Sequence, residues 1–275
     1  MKSAILAIAC AAALFSGCSS RDQYSTEKAY WRLSRQLDRI SKNSSAVPEY
    51  EVESVIRQFD VFIKAHKDSP LAVESQFLIA RVYIGRGELE KARGHLQKVF
   101  DAYSLTEVKA ESLFLTGTTY EDTDWDKARS YYARVVSEYP RTRRGLGTPL
   151  YIAECYRKRF EPEKMLAAYD EAVRRYLSFA DSYPGTSLAF ESCLLASSCY
   201  GGLKDWRSSV KMLERVLVEF KDRVAMDSIL MNIALIYRNQ LKDTGRMKEA
   251  LARLVQEYPR SPLANTARFL MAQNK

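Results

Sequence analysis

Hydrophobic and polar residues alternate with the period of an α-helix along most of this chain, and the stretch from Thr106 to Pro140 shows the plan most simply. Its first half predicts a helix with one apolar face, formed by Leu113, Phe114, Leu115, Gly117 and Tyr120. A short polar turn over residues 121–124 follows. Its second half predicts another such face, formed by Trp125, Ala128, Tyr132, Val135 and Val136. Pro140 ends the pair because proline has no amide hydrogen with which to continue a helix.

The same helix pair recurs along the chain at a nearly constant spacing. A small residue followed three positions later by tyrosine marks Ala80/Tyr83, Gly117/Tyr120, Ala153/Tyr156 and Ala234/Tyr237. A fifth copy, at Ala196, has Tyr200 one position late. The small residues lie 37, 36, 43 and 38 positions apart. The closing aromatic residues repeat independently at 36, 44, 37 and 38 positions, and they are Tyr103, Tyr139, Tyr183, Phe220 and Tyr258. This period indicates stacked helix pairs, because one pair cannot bury its apolar face alone.

The periodicity also predicts where the other helices and turns lie. The first helix, residues 26–40, has an apolar stripe of Tyr30, Trp31, Leu33, Leu37 and Ile40. Later helices are predicted over residues 49–66, 71–84, 88–103, 188–200, 205–220, 225–237, 246–258 and 261–271, and one begins at Pro149. Connections are predicted at residues 85–87, 141–147, 201–202 and 244–245.

One predicted helix, from Pro162 to Tyr183, is longer than the others by about two turns, which is roughly 7 residues. Its apolar stripe is predicted to consist of Leu166, Tyr169, Val173, Tyr176 and Phe179. The extra length is either a projecting feature for docking or an insertion that the repeat tolerates. The sequence leaves both interpretations open.

The matched positions Leu113, Gly117, Tyr120, Ala128, Tyr132 and Pro140 resemble the tetratricopeptide repeat family, and the similarity extends over about residues 71–270. This resemblance implies an all-α fold: a right-handed superhelical solenoid of about six such helix pairs plus a closing helix, over residues 25–275. It also implies that partner peptides or helices bind on the concave side, which the first helices of the pairs line. The resemblance identifies the fold and leaves the partner open.

The amino-terminal residues have the features of an export signal. Lys2 precedes an apolar run from Ala4 to Phe15, which is too short for a bilayer span of about 20 residues. Residues 15–18 resemble a bacterial lipobox, which implies that residues 1–17 are removed and that Cys18 carries lipid. Residues 18–24 would then be a tether, and Ser19 favours the outer membrane facing the periplasm. The alternative is a plain secretory signal without palmitate or other lipid.

The cysteines limit the redox chemistry of the chain. Of five cysteines, Cys10 would leave with the signal and Cys18 would carry lipid. The remaining three, Cys155, Cys193 and Cys199, cannot all pair within one chain. Either Cys155 pairs with one of the other two, or all three are buried free thiols. Their spacing does not resemble a metal site.

Catalytic and cofactor motifs are not found in the sequence. The two histidines, His66 and His95, lie in separate predicted helices and are expected at surface or capping positions. The alternating Asp122, Asp124 and Asp126 lack the glycine and the later glutamate of a calcium loop. The net charge of +8 comes without a nucleic-acid-binding motif. We therefore expect no enzyme activity, cofactor, metal, nucleic acid or small-molecule substrate.

The residues that packing leaves unused predict a partner-binding groove. Positions just after each small residue should face the concave side, and they are Arg81, Thr118, Glu121, Glu154, Arg157, Lys158, Arg238 and Asn239. Most of them are basic or carry an amide, which would suit an acidic peptide or a terminal carboxylate. The alternative is that they are only the solvated sides of helices.

Signal, lipobox and repeats together resemble the outer-membrane barrel-assembly lipoproteins of the BamD type. This resemblance implies a lipid-anchored periplasmic scaffold that binds other envelope proteins during outer-membrane protein assembly. Repeat proteins that work beside the Tol-Pal system, and lipoproteins that regulate cell-wall synthases, are alternatives of the same architecture. An envelope enzyme is a further alternative, with no catalytic constellation in its favour.

Overall fold

The computed structural model describes residues 23–40, 47–221 and 226–273, and the signal (residues 1–17), Cys10, Cys18 and residues 18–22 of the tether lie outside them. Within the described ranges the chain forms thirteen α-helices. They are α1 (23–40), α2 (Glu49–Ala65), α3 (Pro70–Gly85), α4 (Leu89–Ala102), α5 (Thr106–Thr118), α6 (Trp125–Glu138), α7 (Arg143–Lys158), α8 (Pro162–Ser182), α9 (Ser187–Gly202), α10 (Trp206–Glu219), α11 (Asp227–Ile236), α12 (Thr244–Glu257) and α13 (Pro262–Gln273). Six consecutive pairs and a closing helix confirm the all-α repeat fold.

Two compact units make up the chain, one ending at Arg144 and the other beginning at Gly145. Unit 1 therefore includes the first two residues of α7, and unit 2 includes the rest of that helix.

No helix in the described part of the chain is both long and apolar enough to cross a membrane.

The core of unit 1 begins with the apolar stripe of α1, which packs with α2 and α3. Phe59 is completely buried and Leu37 is 3% exposed. Trp31 does not belong to this stripe, contrary to the sequence prediction, because its side chain is 63% exposed. One residue turns a helix by about 100°, so the position after the buried Tyr30 points away from the core.

Small residues determine how closely the helices of unit 1 approach each other. Ala80, Ala92 and Ala128 are all completely buried. At Gly117 on α5, an added Cβ atom would lie 2.6 Å from Cε1 of Tyr132, which is also completely buried on α6. The close approach is thus between Gly117 and a large aromatic ring, so the ring fills the space that a side chain at position 117 would need.

The start of α7 differs from the sequence prediction. Residues 141–147 were expected to form a connection and Pro149 to begin the helix, but α7 begins at Arg143 and Pro149 lies inside it. Leu146 and Thr148 are buried, so packing of this first turn favours the helix despite the proline. The Tyr176 hydroxyl of α8 donates to the Leu146 carbonyl and so supports the backbone beside the interruption.

Helix α8 has 21 residues, whereas α6 and α10 have 14 each, so the predicted extra length is confirmed. Pro162 occupies its first turn, where a missing amide hydrogen costs little. Leu166 is not part of its apolar stripe, because it is 45% exposed. The buried face is formed instead by Tyr169, Ala172, Val173, Tyr176 and Ala180.

Two predicted turns of unit 2 are parts of helices. Gly201 and Gly202 form the last residues of α9, and an added Cβ at Gly202 would lie 2.3 Å from Cζ of Tyr169. Thr244 and Gly245 begin α12, with Asp243 as the capping residue. Between α11 and α12 the chain forms a π-helical segment, Tyr237–Leu241, that ends at Lys242 in the left-handed region at φ 56°. These glycines serve close packing and helix initiation, which composition alone does not distinguish from turns.

Candidate partner-binding surface

A row of three charged residues crosses successive first helices of unit 1: Arg81 on α3, Glu111 on α5 and Arg144 at the start of α7. The Arg81 Nη2 atom lies 3.3 Å from Oε1 of Glu111. Arg144 donates from Nη2 to the same oxygen at 2.9 Å and from Nε to Oε2. Its guanidinium also lies 4.0 Å from the centre of the Phe114 ring. One carboxylate is therefore shared by two guanidinium groups, and we call these three residues the charged row.

The members of the charged row differ in their access to solvent. The Glu111 side chain is 19% exposed and that of Arg144 35%, whereas that of Arg81 is 53% exposed. Burial alone would raise the pKa of Glu111, but the hydrogen bonds and charges of Arg144 and Arg81 outweigh it and lower that pKa. Glu111 is thus held ionised, and Arg81 is the member that a partner can reach.

The two other predicted groove residues of unit 1 are engaged within the fold. The Thr118 hydroxyl donates to the Leu115 carbonyl at 2.7 Å, and its side chain is half-buried. Glu121 accepts a hydrogen bond from the hydroxyl of Tyr132 on α6. Since the rest of Tyr132 lies in the core, Glu121 satisfies its one polar atom.

Unit 2 repeats this tyrosine–glutamate contact. The hydroxyl of Tyr169 on α8 donates to Oε1 of Glu154 on α7 at 2.5 Å, and Arg157 donates to Oε2. Burial, and then the bond to Glu154, raise the pKa of Tyr169. Glu154 is therefore occupied, whereas the neighbouring Lys158 is exposed. Lys158 keeps the solvent access that the sequence prediction gave it.

The last two predicted groove residues lie in the π-helical segment. Arg238 is half-buried and Asn239 exposed, and the adjoining Tyr237 hydroxyl accepts a hydrogen bond from Arg246 at 3.2 Å. A π-helical turn re-aims side chains relative to a regular helix. The spacing rule that relates these positions to the earlier repeats does not apply to this segment.

Sequence reasoning missed Glu111 and Arg144, which complete the charged row. They are 30 positions after Arg81 and 33 positions after Glu111, respectively. Opposite charges recurring at slightly less than the repeat period are the signal that indicates pairing between neighbouring first helices. The predicted groove residues all lie just after the small residue of a repeat, whereas Glu111 and Arg144 lie before Gly117 and Ala153.

The histidines occupy separate structural positions. His66 follows the last residue of α2, where its backbone amide caps the helix and its ring lies 3.3 Å from the Thr26 hydroxyl. The His95 ring lies 3.0 Å from Oε1 of Gln76, and burial lowers its pKa. The two imidazole rings contact residues of different helices and do not lie together in one site.

The three cysteines and the aspartate triplet are also accounted for by the fold. Cys155, Cys193 and Cys199 are buried and form no disulfide with one another, and burial raises the pKa of Cys199 to about 12. Asp124 caps α6 by accepting the Lys127 amide hydrogen at 3.0 Å. Among the residues that the structure describes, no group of three or more histidine, cysteine or acidic side chains is placed to hold a metal ion.

Comparison with known proteins gives matches to a repeat model and several structures of similar architecture. The tetratricopeptide repeat model matches residues 74–106, 111–142 and 229–261. BtubC from P. vanneervenii is 13% identical at a TM-score of 0.45, with 84% of this chain and 90% of that chain covered. The apo form of RapI gives 13% identity, a TM-score of 0.46 and coverages of 87% and 78%.

A third solved structure, YrrB, is described as a tetratricopeptide repeat protein with an unusual peptide-binding site. It is 16% identical at a TM-score of 0.38, with 76% of this chain and 97% of that chain covered. No curated protein matches this chain. The chain contains tetratricopeptide repeats over the three matched stretches, and such repeats are typical of protein-interaction scaffolds.

Proposed function

We propose that this protein is a scaffold that binds an acidic segment of another protein at the charged row of unit 1. The observation that carries the proposal is the shared carboxylate: Glu111 neutralises only part of the charge of Arg81 and Arg144. Arg81 makes a single contact at 3.3 Å with that carboxylate and is more than half exposed. Its guanidinium keeps donors for a carboxylate that arrives from outside.

The chemistry of arginine favours this kind of ligand. A guanidinium presents several N–H donors in a planar fork, and carboxylates accept two of them side by side. Because Glu111 remains ionised between Arg81 and Arg144, it also holds Arg81 near the surface of α3 and α5. An arginine already oriented by a neighbour loses less side-chain entropy when a partner binds.

The proposal extends to the location of the scaffold in the cell. Residues 1–18 support a lipoprotein signal with Cys18 as the lipid-carrying residue, and Ser19 supports the outer membrane. A lipid-anchored repeat scaffold facing the periplasm fits a part in outer-membrane protein assembly. Metabolic labelling with palmitate tests the anchor: label that disappears in Cys18→Ala supports it, and an unlabelled protein, or label that survives the substitution, contradicts it.

Photo-crosslinking tests the binding surface and identifies the partner. A photoreactive amino acid replaces Gly85, one helical turn after Arg81 on α3, or, as a matched control, Gly94 on α4. Both glycines are exposed, and an added Cβ at either position meets nothing within 4 Å. We expect a specific crosslinked product from position 85 and none from position 94. Equal products from both positions, or none from position 85, would contradict the binding surface.

The identity of the crosslinked protein tests the cellular role separately. Subunits of the barrel-assembly machine, or unfolded barrel proteins, would support the assembly role. Cell-wall synthases or Tol-Pal components would show that the scaffold serves a different envelope process through the same surface. Mass spectrometry of the crosslinked segment also shows whether it is acidic, as the charge of the row requires.

A further inference from the structure

Helix α1 carries a line of exposed residues on the side opposite the core. Tyr24, Lys28, Trp31 and Arg35 are spaced by four, three and four positions, which places them on one face of a helix. All four are exposed. The buried residues of α1 lie on the other side of the helix, where they pack with α2 and α3. We call these four residues the α1 stripe.

The two aromatic residues of the α1 stripe are unusually open to solvent. Tyr24 is 66% exposed and Trp31 is 63% exposed. The Trp31 ring makes an edge contact with the buried Tyr30, with ring centres 5.9 Å apart and planes inclined by 70°. Exposed tryptophan and tyrosine have an apolar ring and a polar group, a combination that favours the boundary between lipid and water.

Basic residues alternate with these rings. Lys28 and Arg35 lie on the stripe itself, and Arg32 and Arg39 are also exposed on α1. Glu27 and Asp38 offset part of this charge. Lysine and arginine close to a bilayer are attracted to anionic headgroups, and their long side chains reach the headgroup layer from a helix lying beside it.

The position of α1 in the chain brings the stripe close to the proposed lipid. Tyr24 lies only six positions after Cys18 in the sequence. A chain extends by at most about 3.6 Å per residue, so Tyr24 lies within roughly 22 Å of the lipid-carrying residue. A folded unit on so short a tether stays beside the membrane. Among the described helices, α1 is the nearest in sequence to the lipid-carrying residue.

We propose that the α1 stripe lies on the headgroup layer of the membrane and binds a phospholipid surface that contains anionic lipid. The inference rests on the proposed lipid anchor, which brings the stripe to the bilayer. The anchor holds one point of the chain at the bilayer, and contact between the stripe and anionic headgroups adds a second attachment. The stripe also sets the orientation of unit 1, because α1 lies along the surface with its core side turned away.

Vesicle flotation tests the stripe without the lipid anchor. The chain from Ser19 onward is mixed with phosphatidylcholine vesicles, with or without phosphatidylglycerol. We expect partitioning onto the anionic vesicles only, reduced about fivefold by Lys28→Gln and again by Arg35→Gln. The matched control is Arg129→Gln on α6, which removes an exposed positive charge that lies outside the stripe. Partitioning that is unchanged by the stripe substitutions, or that is reduced equally by Arg129→Gln, would overturn the proposal.

Quenching by brominated lipid tests the stripe in the lipidated protein. The emission of Trp31 is obtained by subtracting the spectrum of Trp31→Phe, since Trp125 and Trp206 remain in both proteins. We expect quenching of Trp31 in vesicles of brominated lipid. If Trp31 is not quenched in palmitate-labelled protein, contact between the stripe and the bilayer is refuted, while the lipid anchor is not. A protein that takes up no palmitate would refute the anchor, and flotation would then decide the stripe alone.

Discussion

The hydroxyl of Tyr176 donates a hydrogen bond to the carbonyl of Leu146 at 2.6 Å, which joins α8 to the first turns of α7. The same hydroxyl accepts the amide hydrogen of Leu150 at 3.3 Å. Between these two backbone groups lies Pro149, which has no amide hydrogen. A side chain of the partner helix thus supplies a donor and an acceptor at the point where proline interrupts α7.

Replacing Tyr176 with phenylalanine should therefore be costly. The ring would still fill the core, but two buried backbone groups would lose a partner, so we expect the free energy of unfolding to fall by about 1–3 kcal/mol. Tyr169→Phe is the matched control, because the Glu154 carboxylate that it releases is only half-buried and can bind water. Urea denaturation of both variants would contradict this account if Tyr176→Phe lost less stability than Tyr169→Phe.

Gly117 gives a second test of packing in unit 1. In Gly117→Ala the new Cβ would lie 2.6 Å from the Tyr132 ring, which is buried and cannot move aside, so we expect a loss of about 1–3 kcal/mol. Gly94 lies inside α4 with nothing within 4 Å of an added Cβ. Gly94→Ala should instead stabilise the protein by about 0.5–1 kcal/mol, through helix propensity. Opposite shifts in the denaturation midpoint are the expected result.

Phe160 occupies a backbone conformation that favours glycine. It has a φ of 58° and is 91% exposed, so the fold gains little from its ring. Gly87, at the corresponding turn after α3, has a φ of 74°. We expect Phe160→Gly to stabilise the protein by about 1 kcal/mol, whereas Phe160→Ala keeps the Cβ atom and the strain. If both variants were equally stable in thermal denaturation, the strain at this position would be refuted.

His95 should make stability depend on pH. Burial lowers its pKa below the ordinary value of about 6.5, so between these two values the unfolded chain binds more protons than the folded one. The stabilising contribution is complete above about pH 6.5 and is lost as the pH falls through the lowered pKa. We expect the free energy of unfolding to decrease over this window, and His95→Gln to remove that decrease. A His66→Gln variant controls for the loss of a histidine, and an unchanged pH profile in His95→Gln would refute the assignment.

The sequence predicted most of the fold because the repeat markers report on local packing. Ala80, Ala153, Ala196 and Ala234, which mark the repeat in the sequence, are all buried. The predicted helix boundaries were wrong where a local signal competes with packing. Proline is common at the first position of a helix, but buried residues before Pro149 extend α7 in the amino-terminal direction. The π-helical segment has no distinctive composition from which it could be predicted.

The candidate surface was less accessible to sequence reasoning because it depends on contacts between helices. Glu121 and Glu154 were predicted to face a partner, yet tyrosines from the following helices use them as acceptors. Such contacts depend on the crossing of two helices and on side-chain length, which spacing within one helix does not reveal. Arg81 was predicted from its place just after Ala80, whereas the other two residues of the charged row, Glu111 and Arg144, were identified only from the structure.

The central claim is that a partner protein binds at the charged row, and charge reversal tests it most directly. The Arg81→Glu and Arg129→Glu variants are purified from membranes, and the partner recovered with each is quantified against the unmodified protein, after thermal denaturation shows that both variants are folded. We expect recovery to fall roughly tenfold or more for Arg81→Glu, because like charges would then meet at the surface, and to be unchanged for Arg129→Glu. Equal recovery with both variants would contradict the claim.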